Sequence, residues 1–174
     1  MSHLTAEPLD QGLAPLSRHG GLSITVAKPA QILLLGAEGG PAMAKALGLD
    51  LPTPTAFSGQ DPLLAWQGPG RWLLYAEAAA PSLPADLDDA SLVTDGFFVL
   101  DLAGPRLRDL LSLGTSLESS PSALPAGASA ITRFAELQAS LMMLEEDHLR
   151  LLVERASRDY LWAWLDQAVA ALKE

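Results

Sequence analysis

Few side chains in this sequence are able to do chemistry, and their spacing narrows them further. The 174-residue chain has three histidines and no cysteine. Without cysteine there is no thiolate nucleophile, disulfide, Cys-ligated zinc or iron–sulfur cluster. His3 and His19 stand in a stretch without periodicity; His148 stands beside Glu145, Glu146 and Asp147 in a predicted turn. That spacing is neither a zinc-binding pair nor an EF-hand, so the turn reads as solvated. Ser116, Ser119, Ser120 and Ser122 crowd one loop, but no G-x-S-x-G elbow holds a serine and no base stands ready to activate one. Asp88-Asp89 and Glu145-Glu146 fall in predicted loops, where solubility explains them better than paired acid–base work. No residue is assigned a catalytic, cofactor-binding or metal-binding role.

Two constellations stand out from this background. Gly36-x-x-Gly39-Gly40 follows a predicted strand and opens a helix, a context that places backbone N–H groups around a phosphate. The spacing is not that of a dinucleotide fingerprint and no Walker lysine follows, so a turn built for close packing is the simpler reading. Thr132-Arg133 sits on a strand amid apolar residues. Arg133 is read as pairing with a buried acid, Asp101 being the candidate, or as holding a carboxylate ligand.

The elements that must position these side chains follow from period and punctuation. Leu22–Val26 alternates as a half-buried strand and Gln31–Leu35 is a short buried one. Pro41 suits the first turn of a helix that runs to Leu47, where Gly48 supplies a left-handed cap. Leu51–Gly59 reads as a loop. Leu63–Trp66 and Arg71–Tyr75 pair across Gly68-Pro69-Gly70 as a hairpin. Ala78–Asp89 reads as a connection with one helical turn. In Phe97–Leu102, Phe98, Leu100 and Leu102 share one face, and Phe97, Val99 and Asp101 the other. Gly104-Pro105 opens a helix closed by Gly114, with Leu107, Leu110 and Leu111 as its buried stripe. Ser116–Gly127 is a loop; Ile131–Leu144 and Leu149–Val153 are strands around Glu145–His148. A last helix is predicted over Ser157–Leu172, with Ser157 as its N-cap.

That last helix carries an apolar arc of roughly 200°, about twice what one buried face needs. Trp164 is expected nearer the middle of the arc, with Tyr160 and Trp162 at its edge. Interfaces draw their energy from Trp, Tyr and Arg, so Tyr160, Trp162 and Arg133 are the candidate partner surface.

The two halves of the chain repeat. Leu47-Gly48 and Leu113-Gly114 are offset by 66 positions, as are Leu51 and Leu117. Each half has the order strand, Gly and Pro, short helix, Leu-Gly, Pro-containing loop, hairpin, which points to a duplicated β-α-β-β unit. The expected fold class is therefore α+β with a long C-terminal helix. Residues 1–21 form a flexible arm, and 22–174 form one domain of two similar halves, about 22–94 and 95–174.

Composition bounds the partners. Hydrophobic residues make up 49% and charged residues 18%, which is globular. A net charge of −10 argues against nucleic acid, whose phosphates demand a basic surface. No apolar run reaches the roughly 18 residues of a membrane span. Glu7, Pro8, Asp10 and Pro15 interrupt any signal-peptide segment, so a cytoplasmic location is expected.

Several blocks resemble a known family. They are Leu47-Gly48-Leu49-x-Leu51-Pro52; Ala65-Trp66-x-Gly68-Pro69-x-x-Trp72-Leu73-Leu74; Val99-Leu100-x-Leu102-x-Gly104-Pro105-x-x-Arg108-Asp109-Leu110-Leu111; Thr132-Arg133-Phe134-Ala135; and Leu151-Leu152-Val153-x-Arg155, closing with Tyr160-Leu161-Trp162-x-Trp164-Leu165. In this order they are similar to the gamma subunit of heterotetrameric bacterial sarcosine oxidase. The resemblance implies a fold related to the folate-binding domain of aminomethyltransferases such as the glycine-cleavage T-protein, with two similar halves. It implies a non-catalytic subunit partnered by alpha, beta and delta subunits, which carry the FAD, FMN, NAD and tetrahydrofolate. That complex demethylates sarcosine to glycine, reduces oxygen to hydrogen peroxide, and passes the one-carbon unit to tetrahydrofolate or releases it as formaldehyde. The alternative is a free-standing folate-binding or one-carbon-transfer module of the same fold. Family members often carry Cys and His in the loop that here reads Gly114–Ser120, and no role of those side chains transfers.

Overall fold

The computed structural model describes residues 13, 21–85 and 87–172. Of the expected arm, only Leu13 and Gly21 fall within these; Leu13 packs against the core beneath the second half.

Alternation sets β1 (Ser23–Ala27), and the apolar run sets β2 (Gln31–Leu35). Helix α1 (Gly39–Leu47) ends at Gly48, whose left-handed backbone (φ 66°) lets the chain turn while Leu49 N–H bonds back to Ala44 O at 2.9 Å. The segment read as a loop through Gly59 ends in a short strand, β3 (Phe57–Gly59). The expected hairpin is β4 (Leu63–Gly68) with β5 (Arg71–Ala76). Within 78–89 the described residues hold a single hydrogen-bonded turn, Leu87 N–H to Pro84 O at 3.2 Å, and no helix; a three-residue strand follows, β6 (Ala90–Leu92). The second half contains β7 (Phe97–Ala103), α2 (Leu107–Gly114), β8 (Ser129–Phe134), β9 (Leu137–Glu145), β10 (His148–Glu154) and α3 (Arg158–Ala171).

One long strand expected at 131–144 is in fact β8 and β9, joined by a tight turn at Ala135-Glu136. Both turn residues have positive φ, 50° and 64°. That geometry matches a hairpin turn whose usual residues are Asn and Gly, so Ala-Glu gave no signal. Gly114 also differs from expectation. It ends α2 without a left-handed cap, and it is glycine because a Cβ there would collide with the Phe134 ring.

The strands form two antiparallel five-stranded sheets, ordered β1-β7-β10-β9-β8 and β3-β4-β5-β2-β6. Strands β2, β3, β4 and β5 hold the same places in the second sheet as β7, β8, β9 and β10 hold in the first. The sheets face each other. Ile32, Leu63, Ala65, Leu73 and Tyr75 from one meet Val99, Met142 and Leu152 from the other. The outer face of the first sheet is covered by α2 and α3, through Leu107, Leu110, Leu111, Leu161 and Leu165 over Phe98, Leu100, Leu141 and Leu151. The outer face of the second is covered by α1, with Met43 and Ala44 against Leu33, Leu35, Leu64 and Leu74. Strands β7 and β10 are thus buried on both faces, which is why they read as near-continuous apolar runs. Among the described residues no helix is long and apolar enough to cross a membrane.

The wide arc of α3 has a local explanation. Its buried stripe is Leu161, Leu165, Ala168 and Val169, only about 100° wide. Trp162 and Trp164 flank that stripe on opposite sides, each half-buried. Trp162 meets Phe98 edge to face at 6.4 Å, and Trp164 meets Phe134 at 5.2 Å. Trp164 is therefore no nearer the middle than Trp162: each is seated on its own ring, over β7 and over the end of β8. Trp162→Ala and Trp164→Ala should accordingly destabilise by similar amounts, about 2–4 kcal/mol, less than a fully buried aromatic loses. Thermal and urea melts of the two variants check this; an unperturbed Trp162→Ala would show that the Phe98 contact carries no weight.

Candidate functional site

The layer between the sheets is plugged in its middle by apolar side chains and opens at both ends into clefts of about 340 and 310 Å³. The first is charged, and strand period dictates its charge. On β10, Leu149, Leu151 and Val153 point to the helices, so Arg150 must point to the other sheet. On β7, Phe98, Leu100 and Leu102 likewise point to the helices, which turns Asp101 inward. The register sets Arg150 directly opposite Asp101.

Arg150 is only 3% exposed. Its Nε and Nη2 donate to the two Asp101 carboxylate oxygens, both at 2.8 Å, and Nη2 donates again to Glu77 Oε2 at 3.1 Å. The guanidinium lies over the Tyr75 ring at 4.2 Å. Tyr75 and Glu77 belong to the second sheet and its exit, so the network ties one sheet to the other. Glu77 is held in turn: Asp61 accepts the N–H groups of Glu77 and Ala78 at 2.7 and 3.0 Å. Burial pulls the guanidinium's pKa down, but the hydrogen bonds and charge of Asp101 more than offset this and hold it above the ordinary arginine value. Burial, aided by the carboxylates of Glu77, Asp101 and Asp61 and opposed by Arg150, pushes the Tyr75 hydroxyl above the tyrosine range. That hydroxyl is buried and has no hydrogen-bond partner among the described residues.

The arrangement is a lock. The hydrogen bonds of Nε and Nη2 to Asp101 and Glu77 turn that edge of the guanidinium onto the protein's own carboxylates. His148 and Glu145 line the same cleft. His148 is half-buried as the first residue of β10, where a solvated turn was expected. Among the described residues no three His, Asp or Glu side chains group as a metal site would need.

Asp101 does meet an arginine, but Arg150 and not Arg133. Arg133 lies on the edge strand β8, exposed, and pairs at 3.0 Å with exposed Glu136 across the β8–β9 turn. The cause is register: Arg133 stands opposite Gln138, at the far side of the sheet from β7. Nothing in the local sequence distinguishes the two arginines. Only the rule that Leu149, Leu151 and Val153 share a face pointed to Arg150. Of the other candidate partner residues, Tyr160 is 50% exposed on α3 and Trp162 packs over β7, so Trp162 and Arg133 lie at opposite flanks of the sheet.

The glycine-rich turn before α1 is already filled. Asp89 places its carboxylate there, accepting Glu38 N–H at 3.1 Å, while its carbonyl accepts Gly36 N–H at 3.0 Å. A Cβ on Gly36 would strike that carboxylate, one on Gly39 the Asp89 carbonyl, and one on Gly40 the Trp72 ring. The anion that this helix N-terminus attracts is thus the chain's own, and Asp89 has a structural task beyond solubility.

Comparison with known proteins adds two findings. The family model for the sarcosine oxidase, gamma subunit family matches residues 37–171. A chain of the heterotetrameric sarcosine oxidase from Corynebacterium sp. U-96, solved in complex with pyrrole 2-carboxylate, superposes with a TM-score of 0.81. The superposition covers 91% of this chain and 89% of that chain at 21% identity, a likeness of fold. No curated protein matches the sequence.

Removing one member of a buried ion pair strands the other charge, which typically costs about 3–5 kcal/mol. Asp101→Asn and Arg150→Met single variants should differ: Asp101→Asn leaves the buried Arg150 underpaired and loses about 3 kcal/mol or more, whereas Arg150→Met strands Asp101 and Glu77, which water reaches more easily, and loses less. Urea melts of both variants check the order. Tyr75 supplies a pH test. Its hydroxyl is neutral in the folded chain above the pH, about 10, at which the unfolded chain loses that proton. Stability should therefore be complete below pH about 10 and fall as pH rises past it. In a Tyr160→Phe background, phenolate absorbance should appear only with unfolding. Tyr75→Phe should flatten the alkaline loss and stay within about 1 kcal/mol of wild type at neutral pH, since the hydroxyl makes no bond among the described residues.

Proposed function

The chain belongs to the sarcosine oxidase gamma subunit family, and from that premise we propose that it is a non-catalytic subunit of a sarcosine oxidase complex. Its partners are the alpha, beta and delta subunits, in the cytoplasm. The complex oxidatively demethylates sarcosine to glycine, with oxygen reduced to hydrogen peroxide. The one-carbon unit goes to tetrahydrofolate or leaves as formaldehyde. FAD, FMN, NAD and tetrahydrofolate reside on the other subunits.

One observation carries the non-catalytic reading: the buried arginine and the glycine-rich turn, the two places where this chain could hold an anion, are taken up by its own carboxylates. Asp101 and Glu77 take up Arg150, and Asp89 fills the turn before α1. The outward features are apolar and aromatic instead, namely Leu34, Ile131 and Tyr160, each at least 40% exposed. Tyr160, Trp162 and Arg133 remain proposed partner contacts. The matching order of equivalent strands in the two sheets supports a duplicated unit of the kind found in the folate-binding domain of aminomethyltransferases.

The test is reconstitution. Co-expressed with the alpha, beta and delta subunits, the chain should co-purify with them in a fixed ratio. Purified alone it should be colourless after desalting, release no peroxide from sarcosine, and give no heat with tetrahydrofolate in calorimetry. Tetrahydrofolate binding by the lone chain would favour the folate-binding module instead.

A further inference from the structure

The second cleft, at the other end of the inter-sheet layer, lies next to an unfinished sheet edge. Strand β8 is the last strand of its sheet. Ser129 donates its N–H away from β9, to Thr55 O at 2.9 Å, and Phe57 N–H bonds to Gly127 O at 3.1 Å. The segment 55–57 thus already lies antiparallel along the first part of this edge, with Ala56 bridged to Ala128. It then departs, because Thr55 takes a left-handed backbone (φ 63°) and Pro54 and Pro52 lack N–H groups to pair. Antiparallel pairing alternates, so the N–H and C=O of Ile131 and Arg133 point outward as those of Ser129 do. Among the described residues nothing pairs with them.

The side chains beside this edge are of matching character. Ile131 is 41% exposed and Leu34 is 40% exposed, and both line the cleft of about 310 Å³. Arg71 lines it too; its guanidinium folds over Gly68 at the end of β4, the strand that packs against β8, and it makes no ion pair or hydrogen bond among the described residues. Arg133 stands on the edge itself, with its charge taken up by Glu136. The cation left without an ion pair among the described residues of this cleft is Arg71; the cleft's own acid, Glu154, lies on β10, two strands in from the edge.

We infer that an extended segment of a partner subunit docks here, pairing its backbone with Ile131 and Arg133, seating an apolar side chain against Ile131 and Leu34, and offering an acidic side chain to Arg71. Strand addition of this kind takes its affinity from main-chain hydrogen bonds and its specificity from the alternate side chains. The inference rests on the subunit reading above, and it names the surface and the chemistry of the segment.

The test uses the complex with alpha, beta and delta subunits. Ile131→Pro removes the outward N–H and the Ile131 side chain without taking a bond from β9, because those bonds are made by Ala130 and Thr132. Arg71→Glu reverses the charge at an exposed position. Each should bind the other subunits at least tenfold more weakly than wild type while melting like it as a free chain. Should Ile131→Pro melt early, Ile131→Glu replaces it, keeping the backbone and opposing the segment's apolar and acidic side chains; it too should bind at least tenfold more weakly. A photo-crosslinker at position 131 should capture a peptide of another subunit that carries an Asp or Glu beside an apolar residue. Assembly of Arg71→Glu and Ile131→Glu at wild-type strength would overturn the docking surface and leave the subunit reading intact. A crosslink to a second copy of this chain would also overturn it. Failure of the wild-type chain to assemble would overturn the subunit reading itself.

Discussion

Arg150 has to be kept charged between two sheets, and much of the architecture answers that requirement. A guanidinium taken from water into a packed interior costs several kcal/mol before any partner is counted. The cost is offset only if a carboxylate meets it with good geometry and the remaining donors are used. Asp101 does this because β7 and β10 pair in a single register, with both residues turned from the helices toward the second sheet. Glu77 does it from the other side, held where Asp61 grips its backbone. A slip of one residue in β10 would turn Arg150 into the leucine layer beneath α2 and α3 and break every contact at once. The ion pairs therefore specify how the strands align and how the sheets stack, whatever their net contribution to stability.

The helical layers are made by ordinary apolar burial, and their glycines show where the approach is closest. Gly40 admits the Trp72 ring under α1, and Gly114 admits the Phe134 ring under α2. The two Leu-Gly pairs that make the halves look alike thus do different work: Gly48 turns the chain, and Gly114 makes room. Likeness of pattern between the halves is a likeness of element order; the local reasons for the shared residues have diverged.

The same distribution of charge separates the interior from the surface. Inward carboxylates are spent on Arg150 and on the N-terminus of α1, where the helix dipole and free N–H groups favour an anion. Outward, Leu34 and Ile131 are at least 40% exposed, and the edge of β8 beyond Ser129 has no pairing strand among the described residues. The buried charges are thus met within the chain, while an apolar sheet edge faces outward.

Read alone, the sequence determined most of the elements and their faces, but not the short strands β3 and β6 or the division of β8 from β9. The alternation in 97–102, the hairpin around Gly68-Pro69-Gly70, the stripes of α2 and α3 and the repeated order all depend on neighbours within a few residues. It was silent wherever a distant segment decided the outcome. The turn at Ala135-Glu136 adopts positive φ because β8 and β9 are held in register by the sheet, a constraint stronger than the preference of either residue. Asp89 reaches α1 only because β6 pairs beside β2. The arginine that meets Asp101 was misassigned because Arg133 and Arg150 sit in similar local sequence, and strand order alone puts one beside β7 and the other at the far edge. The wide face of α3 likewise gained its meaning only when Phe98 and Phe134 came under its two tryptophans. Periodicity is a property of a segment, whereas register and stacking are properties of pairs of segments far apart in the chain, and the charged site is made entirely of the second kind.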